Sequence, residues 1–338
     1  MYNIDMRLRH LLFFLAFVAI TILVIVQFGQ FGQLLNVLKK INPWILIGVV
    51  ILRYLYYWTN TKYFESYLKN FNHKPPFKEL FRDIVVVNFT DTVFPTGGVS
   101  GIAVLRGRLR KHKVSAHTST VAQAFYKGFT GISFIVLLLT SLVLLFFSKK
   151  IEMVSFRLIL VVLLFMLVSS ILIFGLLSNR KLFTKLSYLF TRPFNWILKK
   201  LKKNSLGKDQ LYELIEKFYE TLSDFKNNWR MLVMPFFWCF LSLIIDIASL
   251  YLVFVSFGAY PNPGVVIAAF LVAMTLSVLS IFTSGIGVFE LGLVGILVGL
   301  GMSFDVSFSA SIVYRFIALW LFLPVGLYFY KKAMIDEK

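Results

Sequence analysis

The sequence predicts an all-α, polytopic integral membrane protein. Of its 338 residues, 58% are hydrophobic, 17% aromatic and only 15% charged, and the mean hydropathy is +0.79. Soluble domains typically carry about 25% charged residues, so this chain has too few charges to cover a water-facing surface. The apolar residues also occur in runs of about 18 residues, the length that an α-helix needs to cross a bilayer. A soluble globular enzyme is therefore not expected.

Six apolar stretches are long enough, or nearly so, to span the membrane: 11–28, 43–58, 120–147, 158–177, 231–257 and 306–330. The first follows a short basic region, as a signal peptide would. Its apolar run is longer than the core of about 7 to 15 residues that a signal peptide has, and no small-x-small cleavage site follows. We predict that it stays attached as the first span.

Two further stretches, 84–105 and 264–301, are apolar at both ends and polar and Gly-rich in the middle. The first is too short for two full crossings. Non-helical backbone at membrane depth survives only where it is buried in protein or lines a wet cavity. We interpret both stretches as re-entrant helical hairpins. A pair of true spans in either place would return the chain to the same side and leave the topology unchanged.

Charge predicts the orientation of these segments. Lys and Arg outnumber Asp and Glu by 35 to 16, which gives a net charge of +19. Such a charge is typical of binding to nucleic acid or to anionic lipid, and in so apolar a chain we expect lipid and no nucleic acid. Placing both termini in the cytoplasm puts most lysines and arginines inside, as the positive-inside rule requires. The chain is predicted to be a multi-pass protein of the plasma membrane.

The predicted segments divide the chain into two repeats of the same plan, each with two spans, a hairpin and a span. The repeats are residues 1–150 and 151–338 of one membrane domain, and they enter the membrane from opposite sides as an inverted-topology repeat. A cytoplasmic amphipathic segment, 180–230, separates them, with apolar residues at helical spacing beside lysines. This pattern is typical of a helix at an anionic lipid interface. The segment is either a linker over the cytoplasmic surface or a site of headgroup capture.

Ionisable side chains inside apolar segments mark candidate functional positions. Each costs about 2.5 to 3.5 kcal/mol to insert, so each should have a partner or a function. Asp246 is either paired with Arg53 or Lys127, or a site for a proton or a cationic headgroup. Glu290 and Arg315 carry opposite charges on adjacent apolar elements, and we expect them to form an ion pair.

The polar middles of the two hairpins complete the predicted site. Broken helices leave backbone groups free to meet a headgroup, and a guanidinium suits a lipid phosphate. The lone cysteine, without a CxxC or HExxH motif, gives no reason to expect a metal or a cofactor, and no catalytic residue is assigned. The candidate lipid-binding residues are Asn88, Asp91, Pro95, Gly97, Gly98, Arg106, Asp246, Ser284, Gly285, Gly287, Glu290 and Arg315.

At residues 88–116 and 284–326 the sequence resembles the lysylphosphatidylglycerol synthase transmembrane-region family. This is a flippase-like membrane domain that occurs alone or fused to aminoacyl-lipid synthases, and the resemblance covers essentially the whole chain. The chain departs from the family at Tyr126, Lys127 and Thr130, which puts in doubt a charge pair on that span. The most specific motif is Gly-x-Gly-Val-Phe-Glu with Tyr-Arg one span later, carried by Gly285, Gly287, Val288, Phe289, Glu290, Tyr314 and Arg315.

The resemblance implies a cavity between inverted halves through which a lipid headgroup passes between leaflets. The expected lipid is an anionic or aminoacylated phospholipid, or a glycolipid. The chain ends just past its last predicted span, without the soluble synthase domain, so aminoacyltransferase activity is not expected. The alternative function is a non-transport accessory protein for a lipid-modifying synthase or glycosyltransferase. A membrane enzyme would need an acid and a base that converge at one interface, and here the acids are spread over several depths.

Overall fold

A computed structural model describes residues 41–93, 99–148, 208–279, 285 and 287–335, with shorter stretches between 157 and 189. Within these residues the regular secondary structure is helical, which confirms the predicted class. The predicted span 11–28 and most of the span 158–177 lie outside the described residues. The helices are numbered here in the order in which they are described: α1 Pro43–Lys69, α2 Phe77–Val93, α3 Val99–Arg110, α4 Ala116–Ser148, α5 Lys208–Asn227, α6 Arg230–Ser256, α7 Pro263–Leu279, α8 Val288–Gly299, α9 Phe304–Arg315 and α10 Leu323–Ile335.

Three helical stretches in the described part of the chain are long and apolar enough to cross a membrane: Ala116–Phe147, Arg230–Ser256 and Phe304–Lys332. They correspond to the predicted spans 120–147, 231–257 and 306–330. The last one contains a π-helical turn, Phe316–Trp320, between α9 and α10. In this turn the Leu321 N–H donates to the Phe316 carbonyl at 3.0 Å, the i to i+5 spacing of a π-helix.

Helices α1 and α6 form the longest packed pair and run antiparallel. Asn42 caps the start of α1 by accepting from the Trp44 N–H at 3.0 Å, and Pro43 occupies the first helical position, where its missing N–H costs nothing. The Asn42 N–H donates to the Ser256 carbonyl at the end of α6 at 3.0 Å. At the other end, Asn70 Nδ2 donates to the Met231 carbonyl at 2.8 Å. The two helices therefore stay in register along their whole length.

Helices α2 and α3 form a second antiparallel pair, over the first predicted hairpin. Near the open end of the pair, Arg108 Nε lies 2.5 Å from Asp83 Oδ1. Near its tip, the Gly101 N–H donates to Asp91 Oδ1 at 2.7 Å. The helices have 17 and 12 residues and extend beyond the predicted bounds 84–105 at both ends.

Helices α7 and α8 form the corresponding pair over the second predicted hairpin, and α8 packs in turn on α9. In the segment between α7 and α8, Gly285 and Gly287 have φ values of +70° and +87°, in the left-handed region that favours glycine. A Cβ atom at position 285 would overlap the Ser277 side chain. Positions 285 and 287 therefore favour glycine for their backbone conformation, and position 285 also requires it for close packing.

Two buried clusters hold the helices together. The larger is aliphatic and joins α1, α4, α6, α7, α8 and α9. The smaller is rich in aromatic side chains, among them Tyr63, Tyr67 and Phe64 of α1, and packs against α2, α3, α4 and the first half of α6. Helices α1, α4 and α6 contribute to both clusters and so connect them.

Candidate functional site: a central charge cluster

Asp246 of α6 is buried and binds two partners from other helices. Arg53 Nη1 of α1 lies 2.9 Å from Asp246 Oδ1 in an ion pair. The Tyr314 hydroxyl of α9 donates to the same oxygen at 2.7 Å. Of the two cations that the sequence left open, Arg53 is the partner, while Lys127 is exposed and forms no ion pair with a described residue. Asp246 thus joins three helices at one point.

Glu290 and Arg315 form the second ion pair, as the sequence predicted. Arg315 Nε of α9 lies 2.8 Å from Glu290 Oε1 in the first turn of α8. The other carboxylate oxygen of Glu290 accepts the Gly287 N–H at 2.6 Å, so the side chain also caps its own helix. A carboxylate in the first turn is favourable there because it meets the free amides and the positive end of the helix dipole.

Aromatic contacts connect the two ion pairs. Phe289 lies between them: its ring stacks on Tyr314 at 6.1 Å between centroids. The Arg315 guanidinium lies 4.0 Å from the centroid of the Phe289 ring, within the range of a cation–π contact. We call Arg53, Asp246, Tyr314, Glu290 and Arg315 the central charge cluster; its members come from both halves of the chain.

A small cavity lies beside this cluster, between α1 and helix α2 of the first helical pair. Its volume is about 40 Å³, and Arg53 and Tyr57 of α1 face Asn88 and Thr92 of α2 across it. The remaining wall is the end of the π-helical turn and the start of α10. Single π-helical turns are frequent at functional sites. We call this space the Arg53–Asn88 cavity.

The structure gathers some of the predicted site residues and separates others. Asp246, Gly287, Glu290 and Arg315 belong to the cluster or adjoin it, and Asn88 lines the cavity. Gly285 is buried at the turn before α8. Pro95, Gly97, Gly98 and Ser284 lie outside the described residues.

Asp91 and Arg106 have surroundings of their own. Asp91 accepts hydrogen bonds from the Gly101 N–H and the Ser100 hydroxyl and so joins α2 to α3. Arg106 is exposed on α3 and forms no ion pair within the described part of the chain. The neighbouring Arg108 is the arginine of this helix that pairs with a carboxylate, that of Asp83.

The candidate lipid-binding residues predicted from the sequence do not include Arg53 or Tyr314. Arg53 was predicted only as a possible partner of Asp246, because an arginine inside an apolar run needs a partner. Tyr314 belongs to the Tyr-Arg motif of the family resemblance, and a tyrosine hydroxyl buried in an apolar helix needs an acceptor. Which acceptor it meets depends on the rotation of α9 against α6, which no local pattern fixes.

Apolar helices of membrane-crossing length, with paired charges buried among them, define a polytopic helical membrane protein. The family model for the lysylphosphatidylglycerol synthase TM region matches residues 11–326. The chain therefore belongs to this family, which confirms the resemblance seen in its motifs. A UPF0104 membrane protein of Methanothermobacter thermautotrophicus is 30% identical over 138 residues, an alignment that covers 37% of this chain and 41% of the relative.

Proposed function

We propose that this protein moves the headgroup of a phospholipid, an aminoacyl-phospholipid or a glycolipid between the leaflets of the plasma membrane. The path runs past the central charge cluster, between the α2–α3 and α7–α8 pairs. The observation that carries the proposal is the cluster itself. The Arg53–Asp246 pair joins the two halves of the chain, the Glu290–Arg315 pair is connected to it through Phe289 and Tyr314, and Arg53 lines a cavity. Intramembrane charges of this kind mark substrate or ion pathways in membrane proteins.

The position of the cluster along the helices supports a mid-membrane site. Arg53 lies about 15 Å along α1 from its first turn, and Asp246 about 15 Å from the end of α6, at a rise of about 1.5 Å per residue. Those two helix ends meet at the Asn42–Ser256 hydrogen bond. Since the hydrocarbon core is about 30 Å thick, the cluster belongs near the bilayer midplane.

The short lengths of α3 and α8 support the interpretation of the two predicted stretches as re-entrant hairpins. Helices α3 and α8 have 12 residues each, or about 18 Å, which is too short to cross a hydrocarbon core of about 30 Å. The α2–α3 pair starts from the end of the molecule where α1 finishes, and the α7–α8 pair starts from the end where α6 finishes. The two pairs therefore reach the cluster from opposite faces, as an inverted-topology repeat requires.

Charge orients this arrangement in the membrane. The end where α1 finishes and α6 begins carries lysines and arginines on α1, α2, α3 and α10. At the opposite end, the loops 257–262 and 300–303 contain no lysine or arginine, and the sequence beside the start of α1 and the end of α4 adds four lysines: Lys39, Lys40, Lys149 and Lys150. By the positive-inside rule, the first end faces the cytoplasm, and we call it the cytoplasmic end.

The Arg53–Asn88 cavity, as the described residues leave it, is too small for a headgroup. Its volume of about 40 Å³ holds about three water molecules, because one water needs roughly 10 to 15 Å³ of such volume. Passage of a headgroup through this cavity therefore requires the α2–α3 pair to move away from Arg53 and the π-helical turn. The proposal assigns no covalent chemistry to the chain, and its partners are membrane lipids.

A leaflet-accessibility assay in reconstituted vesicles tests the proposal. The labelled lipids are phosphatidylglycerol, an aminoacylated phospholipid and a polyprenyl-linked sugar, each compared with empty vesicles. We expect one headgroup class to move faster than in empty vesicles, and Glu290→Gln to slow that movement, because the neutral amide weakens the pairing with Arg315. Rates equal to those of empty vesicles for all three lipids would contradict translocation.

The small cavity also favours a second candidate function. A protein that positions a lipid-modifying synthase or glycosyltransferase needs the same fold but no continuous polar path. Its signature would be co-purification with such an enzyme together with a translocation rate equal to that of empty vesicles.

A further inference from the structure

A basic groove lies at the cytoplasmic end of α1, away from the central charge cluster. Its volume is about 790 Å³, and its charged wall consists of Lys62, Lys69 and Lys74 with His73 and one carboxylate, that of Glu65. The start of α6 also lines the groove, with Met234 and Trp238. Lys62 lies at least about 14 Å along α1 from Arg53 at about 1.5 Å per residue, so the groove and the cluster are separate sites.

The backbone fixes the shape of this groove. After α1 the Asn70 side chain binds the Met231 carbonyl of α6 at 2.8 Å. The chain then turns at Asn72, whose φ is +61°, and the His73 N–H donates to the Leu68 carbonyl at 3.1 Å. This closed turn brings both Lys69 and Lys74 to the groove.

The lysines of the groove differ in how they are held. The Lys62 ammonium is paired with Glu65 at 2.7 Å and lies 4.8 Å from the centroid of the Phe77 ring. Lys69 and Lys74 are exposed and form no ion pair within the residues that the structure describes. With one carboxylate among three ammonium groups, the groove carries a net positive charge and suits an anion.

The apolar wall favours a lipid over a soluble anion. Met234 is 61% exposed, and its neighbours Val233 and Phe237 are 48% and 49% exposed on the same helix. Trp229, which is 65% exposed, lies just before α6, where tryptophan is typical of the level of lipid headgroups. An anion in the groove therefore has an apolar surface beside it on which acyl chains can lie.

We infer that this groove binds the phosphate of an anionic glycerophospholipid of the cytoplasmic leaflet. Lys69 and Lys74 contact the phosphate, Lys62 supports the positive field from deeper in the groove, and the acyl chains lie along the exposed face of α6. The inference goes beyond the proposed translocation, since it requires only that the cytoplasmic end of the protein meet that leaflet.

Lipid binding to the full-length protein in detergent, measured by native mass spectrometry, tests this inference. The probes are dioleoyl-phosphatidylglycerol, dioleoyl-phosphatidylcholine and the soluble glycerophosphoglycerol. We expect phosphatidylglycerol to bind more tightly than phosphatidylcholine, and Lys69→Gln/Lys74→Gln to weaken its binding by about 30-fold, the effect of two lysines near a membrane surface. The matched control is Lys331→Gln/Lys332→Gln, which removes two exposed lysines of α10 outside the groove and should change binding by less than about twofold.

Three results would overturn the inference: equal affinity for the two lipids, equal losses in the groove and control variants, or binding of glycerophosphoglycerol as tight as that of the lipid. The last would assign the groove to soluble phosphates. Selective lipid binding without translocation would contradict the proposed function alone. Translocation without selective binding would contradict the groove alone.

Discussion

At the scale of single residues, Asp246 and Glu290 are held in different ways. Asp246 has two partners, Arg53 and Tyr314, and both lie on other helices. Glu290 has one partner on another helix, Arg315, and one in its own first turn, the Gly287 N–H. Asp246 therefore contributes to the packing between helices, whereas Glu290 also fixes the start of a single helix. Their substitutions should have different costs.

Replacement of Asp246 should destabilise the fold strongly. Asp246→Asn leaves the buried Arg53 guanidinium without a counter-charge, and breaking a buried pair in this way costs about 3 to 5 kcal/mol. Asp305→Asn is the matched control: Asp305 is exposed in the first turn of α9, where a carboxylate contributes about 0.3 to 1 kcal/mol. Thermal unfolding in detergent should give a clearly lower midpoint for Asp246→Asn, and similar midpoints for the two variants would contradict the buried pair.

The sequence predicted these residues better than it predicted their contacts. The Glu290–Arg315 pair followed from opposite charges on neighbouring apolar elements, and the structure confirms it. The partner of Asp246 stayed open between Arg53 and Lys127, because both lie in apolar runs and the choice depends on which helix packs against α6. The groove lysines were not predicted as a site, because Met234 and Trp238 meet them only through the pairing of α1 with α6.

At the scale of elements, the α2–α3 pair depends on a close approach at its tip. A Cβ atom on residue 101 would lie 2.5 Å from both carboxylate oxygens of Asp91, whereas one on residue 107 of the same helix would have no atom within 4 Å. Glycine is therefore required by packing at position 101 and not at position 107. The two glycines make a matched pair for a test.

Gly101→Ala should destabilise the protein, and Gly107→Ala should not. Crowding of the Asp91 carboxylate costs about 1 to 3 kcal/mol, while alanine in an open helical position gains up to about 1 kcal/mol over glycine. The midpoints of thermal unfolding in detergent should therefore move in opposite directions. A Gly101→Ala midpoint at or above that of the unmodified protein would mean that α2 and α3 are not joined through Asp91.

Element boundaries were predicted only in part. The second hairpin, predicted at 264–301, coincides closely with α7 and α8. Helix α1 extends to Lys69, well beyond position 58, where the predicted span ends. Thr59, Asn60 and Thr61 are buried, and the aromatic residues that follow them continue the packed face of the helix. The π-helical turn in the last span has no sequence signal in Phe-Ile-Ala-Leu-Trp.

At the scale of the whole molecule, the proposed orientation can be tested at the two ends. It places position 74 at the cytoplasmic end and Tyr260, which is 75% exposed, at the opposite end. In a chain whose buried Cys239 is replaced by alanine, a membrane-impermeant maleimide added to intact cells should label Tyr260→Cys. Lys74→Cys should react only after the membrane is opened. The reverse pattern would contradict the orientation, and labelling of both positions in intact cells would contradict the membrane placement.

The central claim is that the charges at mid-depth serve headgroup passage and that folding needs them only as a matched set. The most direct test is the triple variant Arg53→Met/Asp246→Leu/Tyr314→Phe, studied by thermal unfolding and by the leaflet-accessibility assay on the same preparation. Replacing a buried ion pair by apolar residues of similar size is often neutral or stabilising, and Tyr314→Phe removes the hydroxyl that would otherwise lose its acceptor. We predict an unfolding midpoint close to that of the unmodified protein together with loss of translocation. A stable triple variant that still moves lipid at the original rate would contradict the claim.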